Sequence, residues 1–271
     1  MGVSLPSMVR TLAALERELG VTLLNRTTRR MHLTDAGREY VERCRAILGQ
    51  MQDAEARLQS RRVAPHGRLA VTASVLFGRR YVAPLMNDFI RKHPDVTGEL
   101  LFVDRVVNVI EEGLDVAVRI GHLPDSSLVA LPLGTVRRVI CASPAYLRKH
   151  GAPRTPEDVR KHRCVRFSGL APTAEWTFPS SPRRVAIDSV LTSNQPEVAI
   201  DACAEGLGLG LFLSYMVAPW VRAKRLKYVL EDAESEPLPI HVVYPQSRAV
   251  SPTVRAFVEW CVKELRQARF D

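Results

Sequence analysis

Three arginines, Arg26, Arg29 and Arg30, stand within five residues in the stretch LLNRTTRRMHLTDAG, which runs from Leu23 to Gly37. Guanidinium groups gathered on a short segment with apolar edges suit the phosphates of a nucleic-acid backbone. Just upstream, Ser4, Pro6, Ser7 and Arg10 offer the short polar and cationic surface that a helix needs in a major groove. A second kind of chemistry is spread along the rest of the chain. Ser74, Val75 and Phe77 sit where an apolar run gives way to a helical pattern. Arg119, Gly121 and His122 end another apolar run, and Phe167 and Ser168 end a third. Asn194 and Gln195 precede a helical stretch with Pro196 in its first turn. Hydroxyls, an arginine and the free N–H groups at helix starts are the groups that hold a carboxylate. Each of these positions also reads as an ordinary cap or loop contact.

The elements that must position these groups follow from pattern. SLPSMVRTLAALERELG predicts a helix, with Ser4 as N-cap, Pro6 in the first turn and Gly20 as the stop. Met8, Leu12, Leu15 and Leu19 share one face, and Ser7, Arg10, Thr11, Ala14 and Arg17 share the other. A generic amphipathic surface helix has the same look, so this stretch leaves both readings open. VTLLNR and RRMHLT alternate as two short strands around a basic tip, which is a wing. Thr34 then caps a long helix of roughly Asp35 to Arg62. Along it Tyr40, Cys44, Ile47, Met51, Ala54 and Leu58 recur at heptad spacing. That seam suits pairing with a second copy of the chain, although packing within one chain gives the same stripe. Pro65 and Gly67 mark a linker.

From Gly67 onward, β-branched runs alternate with helical stretches, the sign of a parallel α/β sheet. GRLAVTAS, GELLFV and LDVAVRIG read as strands. A helix through Tyr81, Leu85 and Phe89 and a short helix VVNVIEEG read as the connections. A second α/β unit runs through CVRFSG, RVAIDS, QPEVAIDACAEG and LGLGLFLSY. LPIHVVYP and SPTVRAFVEWCVKELRQ then return to the first unit. The GLGLG stretch, Gly206 to Gly210, lacks the spacing of a nucleotide loop and precedes a strand instead of following one. It reads as a helix cap with close approach of the next strand.

The stretch from Ser4 to Gly37 resembles the recognition helix and wing of the LysR-type transcriptional regulators. The matching residues are Ser4, Leu12, Leu15, Glu16, Leu19, Gly20, Leu23, Arg26, Leu33, Thr34, Ala36 and Gly37. The resemblance implies an α/β chain in three parts: a partial N-terminal winged helix-turn-helix unit at 1–35, a long linker and dimerisation helix at 36–65, and an effector-binding domain at 66–271. That domain is expected as a two-lobed, periplasmic-binding-protein-like clamshell. Lobe I takes 66–142 and 239–271, and lobe II takes 143–238. Two departures stand out. Met1-Gly2-Val3 replaces the end of the family's second helix, so a shortened DNA-binding unit is expected. Leu5 and Val9 stand where Gln and Ser are common in the family, and they offer contacts to thymine methyls instead.

Charge agrees with this division. The net charge is +9, and residues 1–68 hold twelve Arg, no Lys and seven acids, giving +5 in a quarter of the chain. The N-terminus lacks the basic and apolar regions of a signal peptide, and no run of about eighteen apolar residues exists. The five cysteines form no CxxC pair and no metal spacing, and they read as buried thiols of a cytoplasmic protein. No catalytic motif is present. The expected function is therefore a regulator without cofactor or metal. Its partners would be double-stranded DNA, a small effector that is an organic anion, and further copies of itself as a homodimer or homotetramer. The runner-up is a truncated effector-binding clamshell with impaired DNA binding.

Overall fold

The computed structural model describes residues 5–26, 31–41, 43, 44, 47, 64–123, 128–181 and 184–270. The chain opens with helix α1 (Leu5–Leu19), which ends at Gly20 in the left-handed region, φ +68°. Strands β1 (Leu24–Arg26) and β2 (Met31–Leu33) pair antiparallel, with Leu24 opposite Leu33 and Arg26 opposite Met31. Helix α2 starts at 35 and is described through 41 and at 43, 44 and 47. Thr34 caps it by accepting the Gly37 N–H at 2.9 Å. The Glu16 carboxylate of α1 accepts the N–H groups of Leu23 and Leu24 at 2.8 and 3.1 Å, which ties the helix to the wing. Gly37 lies so close to the Leu23 carbonyl that a Cβ there would collide with it. Leu12 and Leu15 are half-buried, and Leu19 and Ile47 are exposed. The remaining positions of the heptad seam, Met51, Ala54 and Leu58, lie outside the described residues.

Two five-stranded sheets make up the rest. The first has the order β4-β3-β5-β14-β6. Its strands are β3 (Gly67–Ala73), β4 (Val96–Phe102), β5 (Val116–Ile120), β6 (Leu128–Val136) and β14 (Leu238–Pro245). β3 is parallel to both β4 and β5, and Leu69 to Ala73 are buried in succession, as a central parallel strand requires. β14 returns antiparallel between β5 and β6. A continuous helical run covers one face: α3 (Val75–Phe77), a π-helical turn (Gly78–Val82) and α4 (Ala83–Lys92).

The second sheet has the order β11-β8-β12-β7-β13. It contains β7 (Arg138–Ala142), β8 (Arg163–Phe167), β11 (Asp188–Ser193), β12 (Leu209–Leu213) and β13 (Lys227–Val229). A minor hairpin, β9 (Glu175–Trp176) with β10 (Val185–Ala186), lies apart from it. The sheet is covered by α5 (Pro144–His150), α6 (Pro196–Ala204) and α7 (Ser214–Arg222). The final helix, α8 (Pro252–Leu265), packs back on the first lobe, with Phe257 and Phe89 5.2 Å apart. Gly206 follows α6 with φ +89°, and a Cβ on Gly208 would collide with the Arg163 carbonyl. The GLGLG stretch is thus a helix exit that lets β12 slide in beside β8.

Two expectations need correction. β7 was placed in lobe I by the boundary at 142, yet it pairs with β12 and β13 in the second sheet. The chain therefore crosses between the lobes at Arg137, between β6 and β7. Apolar residues flank that point on both sides and only the pair Arg137-Arg138 interrupts them, a signal too weak to mark a change of sheet. VVNVIEEG forms turns instead of a helix. The Asn108 side chain accepts the Ile110 and Glu111 N–H groups, and Arg105 closes the loop on Glu112 through two bonds of 2.7 and 3.1 Å.

Asp115 anchors the first sheet. The residue is 4 % exposed. One oxygen accepts the Ala70 N–H at 2.8 Å, and the other pairs with Arg248 at 3.2 Å. Burial nonetheless raises the carboxyl pKa, against the lowering by those two partners. Asp115→Ala is expected to lower stability by about 2–4 kcal/mol, because it strands the Arg248 charge and the Ala70 N–H. Because folding raises this pKa, the folded state favours the protonated acid. Wild type should therefore gain stability relative to Asp115→Asn as the pH falls through the raised pKa, with the gain complete below about 4. Urea unfolding of both variants across the acid range checks the magnitude and the sign.

Candidate functional site

A cavity of about 510 Å³ lies between the two lobes. Its first wall is built from the C-terminal ends of β3 and β5 and the segment after β4, where Ala73, Ser74, Val103, Asp104, Val107, Arg119 and Ile120 line the space. Strand ends beside helix starts are where open α/β sheets bind ligands. Its second wall comes from the other lobe through Arg138, Phe167, Gly169, Leu170, Leu213 and Met216. The lobes meet at an aromatic cluster. Phe77 lies 4.7 Å from Tyr81, 5.4 Å from Tyr215 and 5.4 Å from Phe270, centroid to centroid. Arg80 of the π-helical turn donates to the Tyr215 carbonyl, and Arg79 pairs with Glu197 of α6 at 2.7 Å. Ser214 closes the cluster by donating to the Phe270 carbonyl at 3.0 Å.

The polar groups around the cavity divide into engaged and unengaged. Asp104 accepts the Val75 N–H at 3.1 Å and so caps α3. Burial raises its carboxyl pKa first, the Val75 bond lowers it, and Glu197 raises it further. Arg105 is held by Glu112, and Arg119 donates to the Val107 carbonyl. The Ser74 hydroxyl and the phenol of fully buried Tyr215 are sealed from solvent and make no hydrogen bond of good geometry among the described residues. Burial pushes the Tyr215 phenol well up, the facing Ser74 hydroxyl lowers it, and nearby Asp104 and Tyr81 add to the rise. Four of the five cysteines are buried, all five are free, and burial pushes the Cys164 thiol up to about 12. Thiols of that kind are unreactive.

Of the residues expected at this site, Ser74, Arg119, His122 and Phe167 line the cavity, with His122 at its exposed rim. Val75 and Phe77 stand behind the wall. The Val75 N–H, expected to face a ligand carboxylate, is taken by Asp104, and Phe77 is buried in the aromatic cluster. Gly121 turns the chain after β5 with φ +116° and donates to the Pro239 carbonyl. Ser168 binds the Ser193 carbonyl through both its N–H and its hydroxyl. Asn194 and Gln195 are exposed ahead of α6 and do not line the cavity. Sequence reading missed Asp104, Arg138 and Met216. Asp104 had a usable signal, an acid directly after a strand end. Arg138 had a weaker one, a paired arginine opening an apolar strand.

In the N-terminal unit, Arg10 is exposed on α1. Pro6 and Ser7 fall within α1 and Arg26 within β1 by their backbone. Ser4, Arg29 and Arg30 lie outside the described residues.

Comparison with known proteins decides the family. Residues 62–266 match the LysR substrate binding domain, and residues 1–38 match the bacterial regulatory helix-turn-helix protein of the lysR family. The chain belongs to the LysR family of transcriptional regulators. It is 36 % identical to an HTH-type transcriptional repressor of Pseudomonas aeruginosa over 97 % of this chain and 84 % of that protein. It is 31 % identical to the HTH-type transcriptional regulator CrgA of Neisseria meningitidis over 94 % of this chain and 86 % of that one. The solved structure of CrgA superposes with TM-score 0.67 at 30 % identity, covering 97 % of this chain and 90 % of CrgA. Full-length AphB, a Vibrio cholerae virulence activator, superposes with TM-score 0.66 at 27 % identity, over 96 % and 90 %.

For this LysR-type regulator the two-lobed unit is the effector-binding domain, and α1 with β1 and β2 is the helix and wing of its DNA-binding unit. No helix among the described residues is long and apolar enough to cross a membrane. Asp104 offers a local check on the cavity wall. Asp104→Ala leaves the Val75 N–H without its acceptor and is expected to cost about 1 kcal/mol. Asp104→Asn keeps an oxygen and removes a charge that burial disfavours, so at neutral pH it should melt no lower than wild type in a thermal scan.

Proposed function

We propose that this regulator works in the cytoplasm as a homodimer or homotetramer whose hold on promoter DNA responds to a small organic anion bound between the lobes. The observation that carries the reading is the cavity at the lobe crossover, on the same chain as a winged helix. An anion there touches both lobes, so it has different contacts in the open and closed arrangements, and it shifts their balance accordingly. Ser74, Arg119, His122 and Phe167 are the contacts expected at the ligand. Val75, Phe77, Gly121, Ser168, Asn194 and Gln195 shape the elements around it. On DNA, α1 enters the major groove, where Ser4, Pro6, Ser7 and Arg10 are the contacts expected from the sequence, and Arg26, Arg29 and Arg30 are expected to take phosphates. The seam of the long helix joins two copies. The named relatives include both a repressor and an activator, which supports DNA binding as the shared activity.

Footprinting on DNA from just upstream of its own gene, with and without a ligand that stabilises the protein, tests the mechanism. The expected result is an altered footprint or bend when ligand is bound. Ligand binding with an unchanged footprint and unchanged bend would falsify it.

Arg10 gives a second test. Arg10→Ala should weaken binding on its own promoter and on unrelated DNA alike, and reduce the slope of log affinity against log salt by about one. A loss confined to one sequence would place Arg10 on a base instead of a phosphate.

A further inference from the structure

Arg138 opens β7, opposite Leu213, and is partly buried in the wall of the cavity. An arginine guanidinium stays charged and presents five N–H donors. Among the described residues none accepts from it: no carboxylate, carbonyl or hydroxyl is bonded to Arg138, and no aromatic ring lies beneath it. The neighbouring arginines differ. Arg137 pairs with Glu234 at 3.1 Å and lies over the Tyr228 ring. Arg105 is paired with Glu112, and Arg119 with the Val107 carbonyl. A half-buried cation with no partner carries a desolvation cost that a bound anion would relieve. Burial alone acts on its pKa, and lowers it.

The rest of the cavity narrows the class of anion. The lining of the cavity that Arg138 shares is largely apolar, with Val107, Ile120, Leu123, Leu170, Leu213 and Met216 among it. A phosphate or sulfate needs several converging donors, and the helix N–H best placed to help, that of Val75, is already taken by Asp104. A second negative charge on the ligand would face the Asp104 carboxyl across the same space. One planar carboxylate on one guanidinium satisfies the site, with the remainder of the ligand against the apolar wall.

We infer that the cavity selects a monocarboxylate with an apolar body, its carboxylate held by Arg138. The inference deepens the proposed function and rests on it. Arg138 follows the crossover residue Arg137 directly. A ligand bridging Arg138 on one lobe and the apolar wall of the other would therefore act at the point where the lobes join.

The test uses the full chain, with phenylacetate and hexanoate as carboxylate probes, phenylacetamide and hexanamide as their neutral counterparts, and inorganic phosphate and succinate as other anions. Calorimetric titration gives affinity, and thermal melting gives stability. Both carboxylates should bind, the amides should bind about ten- to a hundredfold more weakly, and phosphate and succinate should not compete. Arg138→Gln should lose the preference for carboxylate over amide, and Arg138→Lys should keep part of it. Without ligand, Arg138→Gln should melt no lower than wild type, since it removes an unpartnered buried charge. A lower melting point for the free variant would assign Arg138 to holding the fold and overturn the inference. So would Arg138→Gln retaining the carboxylate preference, or phosphate displacing the carboxylates. Amides binding as well as carboxylates would overturn the inference while leaving the cavity as an effector site. No binding by either class would overturn the inference, while the footprinting test decides the proposed function separately.

Discussion

The relation between the two lobes rests on one packed contact at the crossover. Phe77 and Tyr81 from the first lobe meet Tyr215 from the second, and Phe270 closes over them from the end of the chain. Edge-to-face contacts of this kind are directional, so they fix an angle as well as a distance. The neighbouring polar bonds depend on the same approach. Arg80 reaches the Tyr215 carbonyl, and Ser214 reaches Phe270. Gly134 leaves space for the Phe270 ring, which would collide with any side chain there. The width of the cavity follows from this contact, because both of its walls grow out of elements that enter the cluster.

The DNA-binding unit depends on a smaller set of contacts of the same kind. The pattern of Glu16, Gly20, Leu23, Thr34 and Gly37 is a set of geometric requirements. Glu16 accepts two N–H groups at the start of the wing. Thr34 spans the wing and α2, donating to the Thr22 carbonyl at 2.7 Å while capping the helix. Gly37 allows α2 to lie against the Leu23 carbonyl. These five residues set the angle between α1, the wing and the long helix. A family motif of this kind is recognisable in sequence because each position answers one steric or hydrogen-bonding demand.

The cavity shows a division of labour among arginines that composition cannot reveal. Arg79, Arg80 and Arg137 brace the two lobes or the crossover, Arg105 and Arg119 brace the loop after β4, and Arg138 alone among these remains without a partner. The Asp104 carboxyl occupies the helix start that an anion would otherwise use. At other strand ends Gly121 is spent on the turn after β5 and Ser168 on the edge between β8 and β11.

The local elements and the family are written in short-range patterns. Helix α1, the wing, the parallel strand β3 and the caps at Thr34 and Gly206 depend on periodicity, turn residues and short-range hydrogen bonds, all readable over a few positions. The helical reading of VVNVIEEG failed because Asn108 and the Arg105–Glu112 pair redirected the backbone. The assignment of β7 failed for a different reason, since a buried strand has the same composition in either sheet. Which polar side chains face the cavity depends on how the two lobes pack. Ser74, Arg119, His122 and Phe167 were legible because they end predicted strands, whereas Asp104 takes its role from the distant Val75 N–H and Arg138 from the lack of any acceptor near it among the described residues. Whether a charge is spent or available is settled by which groups folding brings within bonding distance, and that distance is not encoded in spacing along the sequence.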